Sequence, residues 1–271
     1  MKKQIINEKM AQKNTWASEL LLSDAHAHIT TENDLNCRKK ANIPTLFSAG
    51  TPREAAQLLC LLKTDQKTSP ELRLFLPTVG LHPWHAAETA IDDMLPFLNS
   101  APVIGEIGMD SVWCDVPLTQ QEKVFRTQLA LALEQKKPVI LHTKGQEKEV
   151  AAILREYPNR YLVHWYSCDR YLDDYLNLDC FFSIGPDVWW NPAVQAVAKT
   201  VPTDRLLIET DGTEAISWAW EEAASAGSCP PPDTAASLTL TLQTIAKLRD
   251  LTPQEAGVLC LQNLRKKFLT R

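Results

Sequence analysis

Eight short apolar runs recur along the chain, and most of the segments between them carry apolar residues at helical spacing. Each run is almost continuously apolar rather than alternating, which is typical of parallel strands covered by helices. The runs lie at residues 20–26, 43–49, 74–81, 102–108, 138–142, 160–165, 180–185 and 205–209. The pattern therefore predicts an α/β fold built on a parallel sheet.

Helical periodicity fills the intervals between these runs. The predicted helices cover residues 52–63, 88–99, 118–137, 145–157, 168–177, 191–200, 235–249 and 253–268. Thr252, followed by Pro253 in the first turn, predicts the start of the last helix, and Asn263 and Phe268 are expected to hold that helix against the barrel. Eight strand–helix units in a chain of this length predict a (β/α)₈ TIM barrel. A doubly wound open sheet shows the same alternation, so periodicity alone does not separate the two folds.

Two stretches lack this pattern. Residues 1–19 are polar and predict an N-terminal extension, so we expect the barrel to occupy residues 20–271. Residues 212–234 have no clear periodicity, and a loop of that length inside a compact domain is usually functional or disordered. We interpret it as a lid that carries Trp218 and Trp220.

Composition and charge narrow the class of protein. The 271 residues include 28 Lys and Arg and 33 Asp and Glu, and the resulting net charge of −5 excludes a generally basic nucleic-acid-coating protein. No run of about 20 apolar residues exists, so no membrane span is expected. The seven cysteines are widely spaced and form no C-x-x-C pair, which argues against a disulfide framework and a cysteine-based zinc site. Without a signal-like apolar segment behind the basic start, the sequence predicts a cytoplasmic protein.

All six histidines fall at the ends of predicted strands. They are His26, His28, His82, His85, His142 and His164. In a barrel the carboxyl ends of the strands surround one mouth. An ordinary buried histidine with one hydrogen bond is the simpler interpretation of any single one, but six at one mouth favour a shared site.

Three acidic residues sharpen that expectation. Glu106 interrupts the apolar run VIGEIG, and Glu209 and Asp211 end LLIETD. A buried acid is costly unless it is paired or binds a metal. His26 and His28 are two residues apart on a strand and share a face. The combined set of four imidazoles and two carboxylates is His26, His28, Glu106, His142, His164 and Asp211. It suits zinc, manganese, nickel or magnesium, and six ligands are natural for two ions that share a bridging carboxylate.

These residues resemble those of the TatD family of metal-dependent hydrolases, within the amidohydrolase-like barrel superfamily. The resemblance runs from about Leu22 to Phe268. The matching segments are DAHAH (24–28), SAGT (48–51), GLHPW (80–84), VIGEIGMD (103–110), QQEKVFRTQLALA (120–132), PVILHTK (138–144), VHWYS (163–167), VPTDRLLIETD (201–211) and NLRKKF (263–268). Together, in order and at barrel spacing, they form a specific signal.

The resemblance implies both a metal centre and a reaction. One ion would be held by His26, His28, Glu106 and Asp211, and the second by Glu106, His142 and His164, so that Glu106 bridges. The catalytic residues would be Asp211, which orients the nucleophilic water and takes its proton, and Glu106. His82 and His85 would lie on the substrate side. The implied chemistry is hydrolysis with a water activated by two metals, often of phosphodiester bonds in DNA, and some members are 3′→5′ exonucleases.

Two acids near the motifs have alternative interpretations. Asp24 shares the face of His26 and His28, so it is either an outer partner of these ligands or a structural acceptor for backbone N–H groups. Asp110 is interpreted as an outer partner or a turn residue rather than a ligand.

The segment after the last strand departs from the family pattern. Residues 212–233 carry four carboxylates and no Lys or Arg, whereas phosphate contacts normally come from basic side chains or backbone N–H groups. A metal-dependent hydrolase of a small amide, ester or lactone is therefore the alternative, and a binding module that has lost catalysis is a third hypothesis. The partner would be nucleic acid or a small molecule.

Seven of the eight tryptophans lie in the predicted strand-to-helix segments. They are Trp84, Trp113, Trp165, Trp189, Trp190, Trp218 and Trp220. Some of them could simply pack these segments onto the helices beneath. Seven on one rim still favour a pocket with aromatic walls, which would stack nucleobases or hold a small organic ligand. We expect Trp84, Trp165 and Trp218 to contact substrate.

Overall fold

The computed structural model describes residues 20–28, 31–63, 74–223 and 231–269. The eight strands in these ranges are β1 Asp24–His28, β2 Thr45–Ala49, β3 Phe75–Val79, β4 Val103–Asp110, β5 Val139–Lys144, β6 Tyr161–Val163, β7 Phe181–Ile184 and β8 Leu206–Ile208. The predicted N-terminal extension, residues 1–19, lies outside the described residues.

The strands form one sheet whose spatial order follows the chain from β1 to β8. Every neighbouring pair is parallel. Beyond β8, the amide of Asp211 donates to the carbonyl oxygen of His26 in β1 at 3.0 Å. The last strand therefore returns to the first, which confirms the predicted TIM barrel and excludes an open sheet.

Helices follow the strands. They are α1 Glu32–Lys40, α2 Pro52–Lys63, α3 Ile91–Ser100, α4 Leu118–Glu134, α5 Glu147–Leu154, α6 Leu172–Leu176, α7 Pro192–Thr200, α8 Thr213–Glu221, α9 Thr234–Leu248 and α10 Pro253–Leu264. Short 3₁₀ turns lie at Pro83–His85 and Thr203–Arg205, and a π-helical turn lies at Arg265–Leu269. The start of α10 is confirmed, because Thr252 and Glu255 cap it reciprocally.

Two of these helices differ from the prediction. The pattern gave no helix at 32–40, where α1 forms, and it gave an aperiodic segment after residue 212, where α8 forms. Helix α1 buries a face made largely of Asp34, Leu35 and Arg38, so apolar periodicity does not reveal it. Both helices contribute to the neighbourhood of the barrel mouth.

A small apolar cluster fills the barrel near the amino ends of the strands. It takes one residue from each strand: Ala25, Leu46, Leu76, Val103, Ile140, Leu162, Phe181 and Leu207. Leu264 and Phe268 close it from below, and the rings of Phe268 and Phe181 meet edge to face. Asn263 donates to the carbonyl oxygens of Thr203 and Leu206. The predicted locking of the last helix onto the barrel is confirmed.

The described helices and cysteines bear on membrane insertion and on disulfide bonding. Within the described ranges, no helix combines the length and apolar character needed to cross a bilayer. The described cysteines, at positions 37, 60, 114, 168, 180 and 260, are all free thiols. The cytoplasmic location stays a prediction.

Candidate metal centre

Glu106, near the middle of β4, is the central residue of a buried cluster at the carboxyl ends of the strands. Its Oε2 lies 3.4 Å from Nε2 of His26 and 3.5 Å from Nε2 of His28. Its Oε1 lies 2.6 Å from Nδ1 of His142 and 2.6 Å from Nε2 of His164. The two oxygens of one carboxylate therefore face two pairs of histidines, and these pairs adjoin, since the ring centroids of His26 and His164 are 4.5 Å apart.

Asp211 completes the side of the cluster that contains β1. Its Oδ1 lies 3.2 Å from Nε2 of His26 and 3.6 Å from Nε2 of His28. The backbone that carries it is unusual, since Asp211 has φ +60° and Gly212 has φ +98°. A Cβ at Gly212 would come within 2.9 Å of the carbonyl oxygen of His28, so only glycine permits this close approach to β1.

His82 joins the cluster more closely than the sequence indicates. Its Nε2 lies 3.6 Å from Oε1 of Glu106, and its ring contacts that of His142. His82, Glu106 and His142 bring their ligand atoms within 4.8 Å of one another. His82 is therefore a further candidate ligand, whereas His85 touches the ring of His82 and no described contact joins it to Glu106.

We call these residues the Glu106 cluster: His26, His28, His82, Glu106, His142, His164 and Asp211. Its electrostatics favour an ionised carboxylate at the centre. Burial opposes ionisation of Glu106, but the surrounding histidines, His164 foremost, hold its pKa well below the ordinary value. Burial and His164 oppose protonation of His26, yet Glu106 and Asp211 raise its pKa to about 9. Burial lowers the pKa of His82 to about 4, which keeps this ring neutral at pH 7.

The donor atoms of the Glu106 cluster fit divalent cations. Among the described residues, Nδ1 and Nε2 of His26 and Nδ1 of His164 are buried without a hydrogen bond. A buried polar atom without a partner costs free energy, and a cation between the rings and carboxylates would satisfy the nitrogens that face them. Three overlapping groups of donors meet this requirement: His26, His28 and Asp211; His26, Glu106 and His164; and His82, Glu106 and His142.

Asp110, at the end of β4, orients His142. Its Oδ2 lies 2.9 Å from Nε2 of His142, so the other ring nitrogen faces Glu106. The same oxygen accepts the indole N–H of Trp84 at 2.7 Å, and Oδ1 accepts backbone N–H groups of Val112 and Trp113. Burial opposes the ionisation of Asp110, but these hydrogen bonds hold its pKa well below the usual range. Asp110 thus contacts a histidine of the cluster and also shapes the turn. Its place as an outer partner of a metal ligand stays a prediction.

Glu209 lies beside His164 as Asp110 lies beside His142, on the side of the ring that faces away from Glu106. Its Oε1 lies 3.4 Å from Nδ1 of His164, and its Oε2 accepts the hydroxyl of Ser183 at 2.5 Å. Burial raises the pKa of this carboxyl above its ordinary value. The sequence flagged Glu209 as an acid in an apolar run but gave it no role, because its histidine partner becomes visible only in three dimensions.

Asp24 is a structural acceptor. Its Oδ1 accepts the backbone N–H of Thr210, and its Oδ2 accepts from the guanidinium of Arg38 at 2.6 Å and from the Thr210 hydroxyl at 2.6 Å. These bonds tie β1 to the segment that carries Asp211. The alternative left open for Asp24 is thereby decided in favour of the structural role, and Arg38 is a residue that the sequence analysis missed.

Three of the tryptophans contact one another or the cluster at the barrel mouth, and two others pack together away from Trp218. Trp84 lies beside the cluster, with its ring edge to face with His82 at 4.9 Å, and it is 43% exposed. Trp165 follows His164 directly and donates its indole N–H to Asp187. Trp218 contacts Trp165, whereas Trp220 turns away and packs on Trp189.

The chain has recognisable relatives. Residues 23–269 match the protein family described as TatD related DNase. The uncharacterized metal-dependent hydrolase YabD of Bacillus subtilis (strain 168) is 27% identical over 209 residues, which cover 70% of this chain and 80% of that protein. The 3′-5′ ssDNA/RNA exonuclease TatD of Edwardsiella piscicida is 34% identical over 146 residues, which cover 49% of this chain and 56% of that protein.

A solved structure confirms the architecture. The TatD homologue YjjV of Escherichia coli superposes with a TM-score of 0.74 at 21% identity, and the match covers 92% of this chain and 98% of that one. At this level of identity the likeness concerns the fold.

Proposed function

Because the chain belongs to the TatD-related DNase family of metal-dependent hydrolases, we propose that it cleaves phosphodiester bonds of nucleic acid at the Glu106 cluster. The observation that carries the proposal is the position of Glu106 between two groups of histidines, with one carboxylate oxygen directed to each group. A carboxylate so placed can be shared by two ions, and a pair of ions suits phosphoester hydrolysis.

The residues divide between two ion sites. His26, His28, Glu106 and Asp211 would hold one ion. Glu106, His142 and His164 would hold the other, with His82 on the same side. The imidazoles of this centre favour zinc or nickel, whereas its carboxylates also suit manganese or magnesium. When bound, the ions would lower the pKa of a water molecule and offset the negative charge on the phosphate.

Asp211 is the proposed general base. Its side chain is 22% exposed, compared with 3% for Glu106, so it borders the open mouth while Glu106 stays enclosed. Burial opposes its ionisation, but the nearby histidines, His26 foremost, hold its pKa below the ordinary value. An ionised carboxylate at the mouth can take a proton from the attacking water and pass it to solvent.

The substrate would approach along the rim of the mouth. His85, Trp84, Trp165 and Trp218 are the proposed contact residues. Lys144, at the end of β5, donates to the hydroxyl of Ser167 at 3.1 Å and supplies a positive charge for a phosphate.

The test is a nuclease assay with purified protein and a labelled single-stranded oligonucleotide. We expect nucleotide release with added Mn²⁺ or Zn²⁺ and loss of it with a chelator. Asp211→Asn and Glu106→Gln should lower the rate by about 10²–10⁴-fold with the fold retained by circular dichroism. Glu134→Gln, an exposed acid at the far end of α4, is the matched control. If the oligonucleotides are not cleaved, or if the reconstituted protein binds less than one metal ion per chain, the proposal is contradicted.

The acidic face of α8 favours a second candidate function. Glu214 and Glu221 of this rim helix are exposed, as is Glu222 directly after it, and these acids would repel a polyanion. A small neutral or cationic amide, ester or lactone would avoid that repulsion. Turnover of such compounds with oligonucleotides left intact would favour this alternative.

A further inference from the structure

Trp218 joins opposite sides of the barrel mouth. It lies on α8, which follows β8, and its ring meets that of Trp113, which follows β4, with centroids 6.1 Å apart. In an eight-stranded barrel whose strand order follows the chain, β4 and β8 are diametrically opposed. Trp218 also contacts Trp165 after β6 at 5.7 Å. We name α8 together with Trp113, Trp165 and Trp218 the tryptophan bar.

The tryptophan bar is fixed to the barrel. Ile216 and Ala219 of α8 are buried, and the indole N–H of Trp190 donates to the carbonyl oxygen of Ala219 at 3.0 Å. Trp220, two residues from Trp218, packs on Trp189 at a centroid distance of 5.4 Å. One side of α8 is thus held by the segment after β7, while Trp218 reaches across the mouth. The first part of the lid expected over residues 212–234 is therefore helical, and residues 224–230 of it lie outside the described residues. Its action as a lid stays a prediction.

The bar carries aromatic surface and negative charge together. Trp113 is 55% exposed and Trp218 is 40% exposed, so both rings keep surface that a planar base could cover. Glu214 and Glu221 are exposed at four residues before and three residues after Trp218, which places them on its side of the helix. A base can stack beside these acids, whereas a long phosphate backbone that follows it is repelled.

We propose that the tryptophan bar selects short, single-stranded oligonucleotides by stacking one base near the chain end on Trp218 and repelling the remainder of a longer chain. The inference rests on the proposed nuclease function and assigns its length preference. Phosphates close to the cleaved bond would face the proposed ions and Lys144, which would offset their negative charge. Each additional phosphate beyond the bar would approach the carboxylates of α8 and be repelled.

A length series of labelled single-stranded oligonucleotides, from a dinucleotide to about 20 nucleotides, tests the selection at low and high ionic strength. We expect kcat/KM to fall as the chain lengthens. In the triple variant Glu214→Gln, Glu221→Gln, Glu222→Gln, the long substrate should gain at least about fivefold more than the dinucleotide, and added salt should reproduce this gain in the parent. Trp218→Ala should raise KM about 5- to 100-fold, the loss expected for one stacked base.

A binding measurement and a control variant accompany the kinetic series. Binding of hydrolysis-resistant phosphorothioate oligonucleotides to the metal-loaded protein, followed by fluorescence anisotropy, gives the same length series without turnover. The double variant Leu133→Ala, Glu134→Gln removes an exposed apolar side chain and an exposed acid at the opposite end of the barrel, and it should match the parent.

The outcomes separate the two proposals. Cleavage of oligonucleotides with the same length dependence in the parent and the triple variant would overturn the selection while leaving the nuclease function intact. No cleavage at any length would contradict the nuclease function, and the selection with it.

Discussion

Arg38 is fully buried, and its guanidinium is matched by four neighbours. Its Nε donates to Asp34 at 2.8 Å, and its terminal nitrogens donate to Asp24, Thr45 and Thr210. The side chain thus joins α1, β1, β2 and the segment before Asp211. A buried charge of this kind is stable only while its partners remain.

Replacement of Arg38 should therefore be strongly destabilising. We expect Arg38→Met to lower the free energy of unfolding by about 3–5 kcal/mol, because Asp24 and Asp34 would stay buried without their cation. Urea denaturation measures this loss. Arg126→Met, which removes a half-exposed arginine paired with Glu122 and Glu156, should cost about 1 kcal/mol or less. Equal losses of unfolding free energy in the two variants would contradict the stabilising role of the buried Arg38.

A second residue-scale prediction concerns Asp110. Asp110→Asn keeps an oxygen for the backbone N–H groups but weakens the partner that orients His142. We expect metal affinity at the His142 side to fall about 10- to 100-fold, with little change in unfolding. Calorimetric titration of Mn²⁺ or Zn²⁺ measures it, and the exposed Asp169→Asn is the control. Unchanged metal affinity would mean that Asp110 stabilises the turn but does not orient His142.

Residues that violate their local pattern were predictable from the sequence. Glu106 stands out as an acid in an apolar run, and the paired His26 and His28 share one face of a strand. Arg38 carries no such signal, because it lies in a polar stretch and its hydrogen-bond partner Thr210 is 172 residues away. Partners of that kind are defined by the closed barrel, which local periodicity does not encode.

At the scale of elements, α1 and α8 show where hydrophobic periodicity fails. Helix α1 is stabilised at its ends: the Thr31 hydroxyl accepts the N–H of Asp34, acids occupy the first turn, and bases occupy the last. Helix α8 has only Ile216 and Ala219 as buried residues. Helix α1 depends on its capped and charged ends, whereas α8 has no side-chain cap and depends on its packing against neighbouring segments. Neither feature is part of an apolar periodicity.

Limited proteolysis tests the fixed position of α8. Because its backbone is helical and anchored through Ala219, we expect residues 213–221 to resist cleavage whether or not an oligonucleotide is bound. Mass spectrometry of the fragments locates the cuts. Trp190→Phe, which removes the bond to Ala219, should make this segment more sensitive. Ligand-dependent cleavage within 213–221 of the parent would instead favour a lid that moves when substrate binds.

At the scale of the whole molecule, the apolar cluster that stabilises the barrel and the candidate metal centre lie at opposite ends of the strands. Phe268 and Leu264 close the apolar cluster at the amino ends of the strands, while the Glu106 cluster lies at the carboxyl ends. This division is typical of barrel enzymes. Substitutions at the two ends should accordingly have different consequences.

Phe268→Ala tests whether the apolar cluster can be disturbed without an effect on the candidate metal centre. We expect a loss of about 3–5 kcal/mol in unfolding free energy, because a large ring leaves a cavity beside Phe181. Metal affinity of the folded variant should stay within about twofold of the parent. Val258→Ala, at an exposed position of α10, should change stability by about 0.5 kcal/mol or less. A large drop in metal affinity would show that the two ends are coupled.

The number of strands and their positions along the chain could be predicted from the apolar runs, but the strand order in the sheet and its closure could not. Closure involves hydrogen bonds between the first strand and the segment directly after the last one, such as that from Asp211 to His26, and these groups are 185 positions apart in the chain. The six histidines at strand ends were the sequence feature that favoured one mouth.

The two oxygens of Glu106 have a thermodynamic consequence. If one carboxylate serves both ions, occupancy of either half changes the affinity of the other, and the factor is the same in both directions. His26→Ala and His164→Ala would then not act as independent deletions of one site each. The centre would behave as a cooperative pair, so metal titrations should be analysed with a coupling constant between the ions.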